Sequence, residues 1–374
     1  MPLFPNPYPV HPGSTPPILA GRDTVLTSDP SVQARLLTGL RGSGKTALLG
    51  ALAAQAPASS TLLGAGPGRH LAQALIPALR ALLHGLPSGA PVARALTVLA
   101  GFRAAQAARL PPSPADPPGQ PGQGDSGDLE ADLSALLSAL GSLAGGLDAG
   151  LTLLVDDAHA LMRAELDALL RAWSAAAPAH PRLRLVLAGL PFLASLDVHE
   201  RALLERHFQM DELGALDARA LSQAVQGPAL AQGRSWNPDA LAELGRASKG
   251  HPALLQAWAH HAWETAADGP LDASAVRRAG PACLRSLDRR YYGPGFEALA
   301  PRERAYLRSM AHLGPGPHRS SDIADSMDAK VTALGPLRAK LIKEGWVYGP
   351  QHGLLGFTAP GMDEFMRRVM PNFR

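Results

Sequence analysis

The sequence predicts an α/β protein. A three-layer core with a central parallel sheet comes first, a helical lid second and a C-terminal winged helix-turn-helix last. Three observations carry this. A strand, a glycine loop and a helix follow one another over residues 34–55. A second apolar run, 151–155, ends in two carboxylates, Asp156 and Asp157. Beyond about residue 214 the pattern is helical only, until a short hairpin near the C-terminus.

Residues 1–17 hold seven prolines and no periodicity, which predicts an extended arm. Gly21-Arg22-Asp23 by itself reads as a turn before a helix start. The strand at 34–38 then enters Gly39-Leu-Arg41-Gly42-Ser43-Gly44-Lys45-Thr46, which is G-x-x-x-x-G-K-T. Glycines let backbone N–H groups wrap around phosphate oxygens. Lys45 brings charge to the β- and γ-phosphates of ATP, and Thr46 offers its hydroxyl to Mg²⁺. The helix from Lys45 to about Gln55 aims its positive end at the same anion.

A buried strand is predicted at 58–64, and helices at about 68–84 and 91–109. Residues 111–127 are a run of Pro, Gly, Gln, Ser and Asp, expected to be a disordered surface insert. Asp128 can cap a helix at 129–144. The run at 151–155 is a parallel strand delivering Asp156 to hold Mg²⁺ and Asp157 to orient the attacking water. A helix at 161–177 and a buried strand at 183–189 follow, with a loop over the nucleotide starting at Gly189-Leu-Pro191. A short basic helix, 199–207, precedes a last strand at 208–210.

Helices at 216–226, 237–247, 251–267 and 272–287 follow. Lys249-Gly250-His251-Pro252 reads as a helix end followed by a helix start. The last segment predicts helices at 302–313, 320–327 and 330–344, then a hairpin over 346–358. These are the parts of a winged helix. Its third helix, the recognition helix of such a module, carries Lys330, Arg338, Lys340 and Lys343, a basic set suited to double-stranded DNA. The same helix is also compatible with packing on protein.

The length of 374 residues suits two or three domains. A net charge of +3 is too small to announce a nucleic-acid binder unaided. The single cysteine, Cys283, excludes an internal disulfide framework and fits a cytoplasmic location. The N-terminus lacks a signal-peptide pattern, and no stretch reads as a membrane span.

Taken in order, Gly21-Arg22-Asp23, the phosphate loop, Leu153-Leu-Val-Asp-Asp-Ala-His159, Leu187-Ala-Gly-Leu-Pro191, Glu205-Arg-His-Phe208 and Lys249-Gly-His-Pro-Ala-Leu-Leu-Gln256 resemble a known set. It is that of bacterial AAA/AAA+ ATPases related to the origin-recognition and archaeal ATPases and to the STAND ATPases. The tail, from Gly314 through Asp363-Glu-Phe-Met-Arg-Arg-Val-Met370, looks like their winged helix. The resemblance implies an arm at 1–17, an ATPase core at 18–212, a lid at 213–290 and a winged helix at 291–374. It implies that Arg22 sits by the adenine, that Pro252 presses on it, and that Arg206, or else Arg201, acts as a sensor or arginine finger. It implies a slow ATP hydrolase that switches a DNA-binding module, or a STAND-like signalling ATPase whose winged helix contacts protein. Homo-oligomers occur in such families. Two departures point to slow turnover. Asp157 stands where the family usually has Glu, and Gly189 stands where many members carry a polar sensor.

Overall fold

The three central strands of the sheet are buried on both faces, which is why they read as near-continuous apolar runs. The structure, a computed structural model, describes residues 4–10, 15–27, 32–56, 58–66, 68, 70–107, 109–191, 196 and 198–372. The chain opens with α1 (Asp23–Leu26), β1 (Ala34–Thr38), α2 (Lys45–Gln55), β2 (Ser60–Gly64), α3 (Leu71–Gly85) and α4 (Ala90–Gln106). It continues through α5 (Leu129–Gly145), β3 (Leu151–Asp156), α6 (Arg163–Ala176), β4 (Leu183–Gly189), α7 (Val198–His207) and β5 (Gln209–Glu212). The strands form one five-stranded parallel sheet in the order β2-β3-β4-β1-β5. Alternate residues go to opposite sides. Leu36, Leu153, Val155, Leu185 and Leu187 pack with α3–α6, whereas Leu37, Leu154, Val186 and Ala188 pack with Leu48 and Leu49 of α2. The result is three layers, with the phosphate loop at the C-terminal edge of the sheet.

Two further apolar clusters follow. α8 (Ala218–Ala231), α9 (Pro238–Ser248), α10 (Pro252–Ala266) and α11 (Ala273–Leu287) bury Leu221, Val225, Trp236, Leu244 and Trp263. α8 runs past its predicted end and through Pro228, whose ring is buried. That contact offsets the backbone hydrogen bond that proline cannot donate. The C-terminal unit is α12 (Pro301–Leu313), β6 (His318–Arg319), α13 (Ser320–Ser326), α14 (Val331–Lys343), β7 (Val347–Tyr348), β8 (Leu354–Phe357) and α15 (Met362–Val369). Its antiparallel sheet has the order β6-β8-β7. Its core includes Leu254 of α10 and Cys283 and Leu287 of α11, so the two units share an apolar seam.

The insert at 111–127 is a correction to the sequence expectation of disorder. Asp116 lies between two groups of α3, 2.8 Å from Arg80 Nε and 2.9 Å from His84 Nε2. The Arg80 Nε approach is an ion pair without an aligned hydrogen bond. Gly101 of α4 lets the segment lie directly on the helix, since a Cβ there would come within 2.3 Å of Gln123 O. Composition cannot register these partners, which come from helices upstream. The predicted loop over the nucleotide falls partly outside the described residues, at 192–195 and 197. Among the described residues no helix is long and apolar enough to cross a membrane.

The N-terminal arm is anchored at Tyr8, which is 2% exposed among the helices of the second cluster. Its hydroxyl donates to Val225 O (2.6 Å) and accepts from Trp236 Nε1 (2.7 Å). Tyr8→Phe leaves Trp236 Nε1 buried without a partner and removes the second bond to Val225 O, which keeps its helical one, so it should lower the unfolding free energy by about 1–3 kcal/mol. Denaturant titration checks this, and a wild-type midpoint would show that the two bonds contribute nothing.

Candidate functional site: the phosphate loop and its neighbours

Gly39 through Thr46 join β1 to α2, as the motif requires. Gly42 is obligatory here for two reasons. Its φ is +77°, and a Cβ would meet Ala253 Cβ at 2.6 Å and His251 Cε1 at 2.9 Å. The N-terminus of α10 therefore lies directly on the loop, and Ala253 N donates to Gly42 O (3.2 Å). Gly44 precedes α2 with φ +95°. Ser43 is buried, and its carbonyl accepts from Arg22 Nη2 (3.3 Å). Arg22 also donates to Gly214 O (2.8 Å), so it fastens the segment before β1 to the loop and to the turn after β5.

Lys45 is 8% exposed and donates to Gly39 O (2.8 Å) and Leu40 O (2.9 Å). Burial pushes its pKa down to about 8, against the pull of Asp156 and Asp157. An ammonium so poorly hydrated is strongly attractive to an anion. Thr46 Oγ1, in the first turn of α2, donates to Asp156 Oδ2 at the end of β3 at 2.6 Å. The Asp157 amide holds the other oxygen, Asp156 Oδ1, at 2.9 Å. One hydroxyl and one oriented carboxylate form the hard-oxygen share that a protein supplies to Mg²⁺ beside phosphates, so these residues fit that ion. Asp157 has φ +54°, and its side chain is 49% exposed.

Not every expected residue comes to the loop. Arg201 and Arg206 are exposed on α7. The charge of Arg206 acts on His207, whereas those acting on Lys45 are Asp156, Asp157 and Arg41. Pro252 is the first residue of α10, after Lys249 closes α9 in the left-handed region (φ +53°), the helix end and start that the sequence suggested. Of the basic set on α14, Lys330 and Lys343 are exposed and Arg338 is half-buried. Lys340 Nζ is bonded to Glu303 and lies 3.7 Å from Glu344.

Three residues without an assigned role also surround the loop. Tyr291 Oη donates to Arg41 O (2.6 Å). His159 Nδ1 accepts from Leu190 N (3.2 Å). His251 is 6% exposed, and among the described residues neither ring nitrogen has a hydrogen-bond partner of good geometry. Burial, reinforced by Lys45, pushes His251 and His159 each down to about 4, and the nearby Arg41 backbone only partly opposes this for His251. The Asp-Asp-Ala-His and Gly-His-Pro strings contain both histidines, but only folding turns them toward one loop.

Arg41 links the loop to the C-terminal unit. Its amide donates to Thr358 O (2.8 Å) and its Nε to Gly345 O (3.2 Å). Gly345 follows α14 and Thr358 follows β8.

Residues 33–196 match the family described as AAA domain. The core of this chain is an AAA ATPase domain. Residues 289–366 match a family described as a domain of unknown function (DUF8462). No curated protein matches the chain in sequence. The fold is similar to that of the Walker-type ATPase PABY2304 of Pyrococcus abyssi, with a TM-score of 0.58 and 17% identity over 92% of this chain and 93% of that one. A looser likeness relates the chain to Cdc6p of Pyrobaculum aerophilum, with a TM-score of 0.47 and 16% identity over 97% of each chain. Another relates it to the RuvB Holliday junction branch migration motor of Thermotoga maritima, with a TM-score of 0.41 and 15% identity over 87% and 85% of the chains. In the AAA domain, β3 and β4 deliver the carboxylates and the His159 contact to the loop carried by β1.

The buried histidines set a pH dependence. In the unfolded chain each binds its proton near pH 6.5. Their folded values are depressed, so the stability they allow is full above about pH 6.5 and is lost as pH falls towards about 4. His251→Leu should flatten part of that loss in thermal melts between pH 4 and 7. An unchanged profile would show that His251 does not titrate on unfolding.

Proposed function

We propose that the chain is an ATP-operated switch in which the AAA domain binds and slowly hydrolyses ATP and the C-terminal unit, read as a winged helix, follows the nucleotide state. The observation that carries this is the bonding of Arg41, inside the phosphate loop, to Gly345 and Thr358. A phosphate entering the loop acts on the element that holds the far unit. Lys45 exchanges its carbonyl partners for phosphate oxygens. Mg²⁺, held through Thr46 and Asp156, neutralises phosphate charge. Asp157, half exposed at the end of β3, orients the attacking water. Arg22 and Pro252 line the base end of the nucleotide. Arg206, exposed on α7 and not among the charges that act on Lys45, suits a neighbouring subunit better than its own, which favours a homo-oligomer. The proposed division is an arm at 1–17, the core at 18–212, the lid at 213–290 and the winged helix at 291–374.

Double-stranded DNA is a second reading, favoured by the exposed first turn of α14. Lys330, Val331, Thr332 and Ala333 are all exposed there, and recognition helices reach base edges with their N-terminal residues. In this reading Lys330, Arg338 and Lys343 meet DNA directly. Lys340 must first leave Glu303.

Lys45→Ala should abolish ATP binding. Asp157→Ala should keep binding and slow turnover on the order of 100-fold. Arg41→Ala keeps the main-chain bond to Thr358 and loses the one to Gly345, so it should bind nucleotide but show a smaller nucleotide-dependent change in hydrogen exchange around residue 345. Nucleotide titration, phosphate release and exchange mass spectrometry check the three. Identical exchange in wild type with and without ATP sinks the switch.

For DNA, gel shifts over a salt series should weaken steeply. Lys330→Ala and Lys343→Ala should each reduce the logarithmic salt slope by about 1. Lys340→Ala should change it less, because its charge is already compensated. Absence of any shift at low salt removes the DNA reading.

A further inference from the structure

β1 delivers the phosphate loop and β3 delivers the carboxylates, but β4, which lies between them, ends at Gly189 and delivers no side chain. A different residue reaches that position. His159 lies in the single helical turn 158–160 after β3. Its Nδ1 accepts the Leu190 amide hydrogen at 3.2 Å, so the imidazole bridges from the end of β3 to the end of β4. Its side chain is 17% exposed.

The bond from Leu190 determines the tautomer. A nitrogen that accepts a hydrogen bond carries the lone pair, so the ring proton is on Nε2. No hydrogen-bond acceptor engages Nε2 among the described residues. The charges that act on the ring are Lys45, Arg41 and Asp156, those of the cleft between the phosphate loop and the β3 carboxylates. Burial beside Lys45 and Arg41 keeps the ring neutral at pH 7, so its 4.0 Å approach to Asp157 Oδ1 is not an ion pair. His159 is thus a neutral donor, fixed through Nδ1, whose Nε2–H is unused among the described residues and whose ring feels the charges of Lys45, Arg41 and Asp156.

We propose that His159 is a catalytic residue of this domain, donating its Nε2–H to an oxygen of the γ-phosphate of bound ATP in place of the side chain that Gly189 lacks. The proposal rests on the ATPase reading above. In the hydrolysis it assists, the water oxygen bonds to the γ-phosphorus while the bond to the β–γ bridging oxygen breaks. ADP leaves with the electron pair, and the proton of the water passes to the phosphate product or to solvent. His159 transfers no proton. It stabilises charge on the γ-phosphoryl oxygens and separates ATP from ADP, which has no γ-phosphate.

Two substitutions divide the two nitrogens. In His159→Asn the side-chain oxygen can still accept from Leu190 N–H, but the distal donor is gone. In His159→Gln a distal N–H is kept and the near acceptor is lost. Wild type, both variants and Lys45→Ala are titrated with ADP and with the non-hydrolysable imido analogue of ATP, and turnover is followed by phosphate release. The expected result for His159→Asn is unchanged ADP affinity, about ten-fold weaker analogue binding, and turnover slowed on the order of 10–100-fold. His159→Gln should recover part of both losses. If His159→Asn keeps the wild-type preference for the analogue over ADP, His159 only props Leu190 and the proposal is overturned. Should the Asn variant fail to fold, the Gln variant decides, because one weaker than wild type for both nucleotides alike would also overturn it. Binding of neither nucleotide to wild type would remove the ATPase reading and this proposal together. Wild-type binding with an unchanged Asn variant removes this proposal alone.

Discussion

The hydrogen bond from Thr46 to Asp156 is the constraint around which the site is built. Thr46 lies in the first turn of α2, which follows β1, and Asp156 ends β3, with β4 between those two strands in the sheet. The bond therefore ties the helix that starts at the phosphate loop to the strand that carries the carboxylates. β4 ends at Gly189, in register with Thr38 of β1. Just beyond that end, His159 accepts the Leu190 amide hydrogen.

Electrostatics at the loop follow from burial. Lys45 loses much of its hydration and recovers it from two backbone carbonyls and from the field of Asp156 and Asp157. In so dry a cleft a second cation would be costly, and both histidines beside it are held neutral. They serve as polar groups without charge. This keeps the phosphate site attractive through one lysine and a set of amides.

All three parts of the chain meet at this loop. Arg22 comes from the segment before the sheet, Ala253 and His251 from the helical unit, and Tyr291, Gly345 and Thr358 from beyond it. Most of these contacts involve backbone atoms, so their geometry depends on the path of the chain more than on side-chain identity. The loop is thereby bonded to both of the other units.

The local strings were legible in the sequence because their physics is local. A glycine loop between a strand and a helix, an apolar run ending in Asp156-Asp157, and a left-handed helix end at Lys249 each depend on a few neighbouring residues, and the AAA identity of the core followed from them. Residues 111–127 were misread for the converse reason. Their order comes from Arg80 and His84 on α3 and from the bare backbone at Gly101, partners that composition does not reveal. Likewise Lys340 looked free on its helix, yet its partner, Glu303, lies on α12. The sequence by itself determined which elements form and which one grips phosphate, since periodicity and backbone freedom are properties of short segments. Only the tertiary structure decided that His159, His251, Tyr291 and Thr358 converge on that grip, because the strand order and the packing of separate units set those distances.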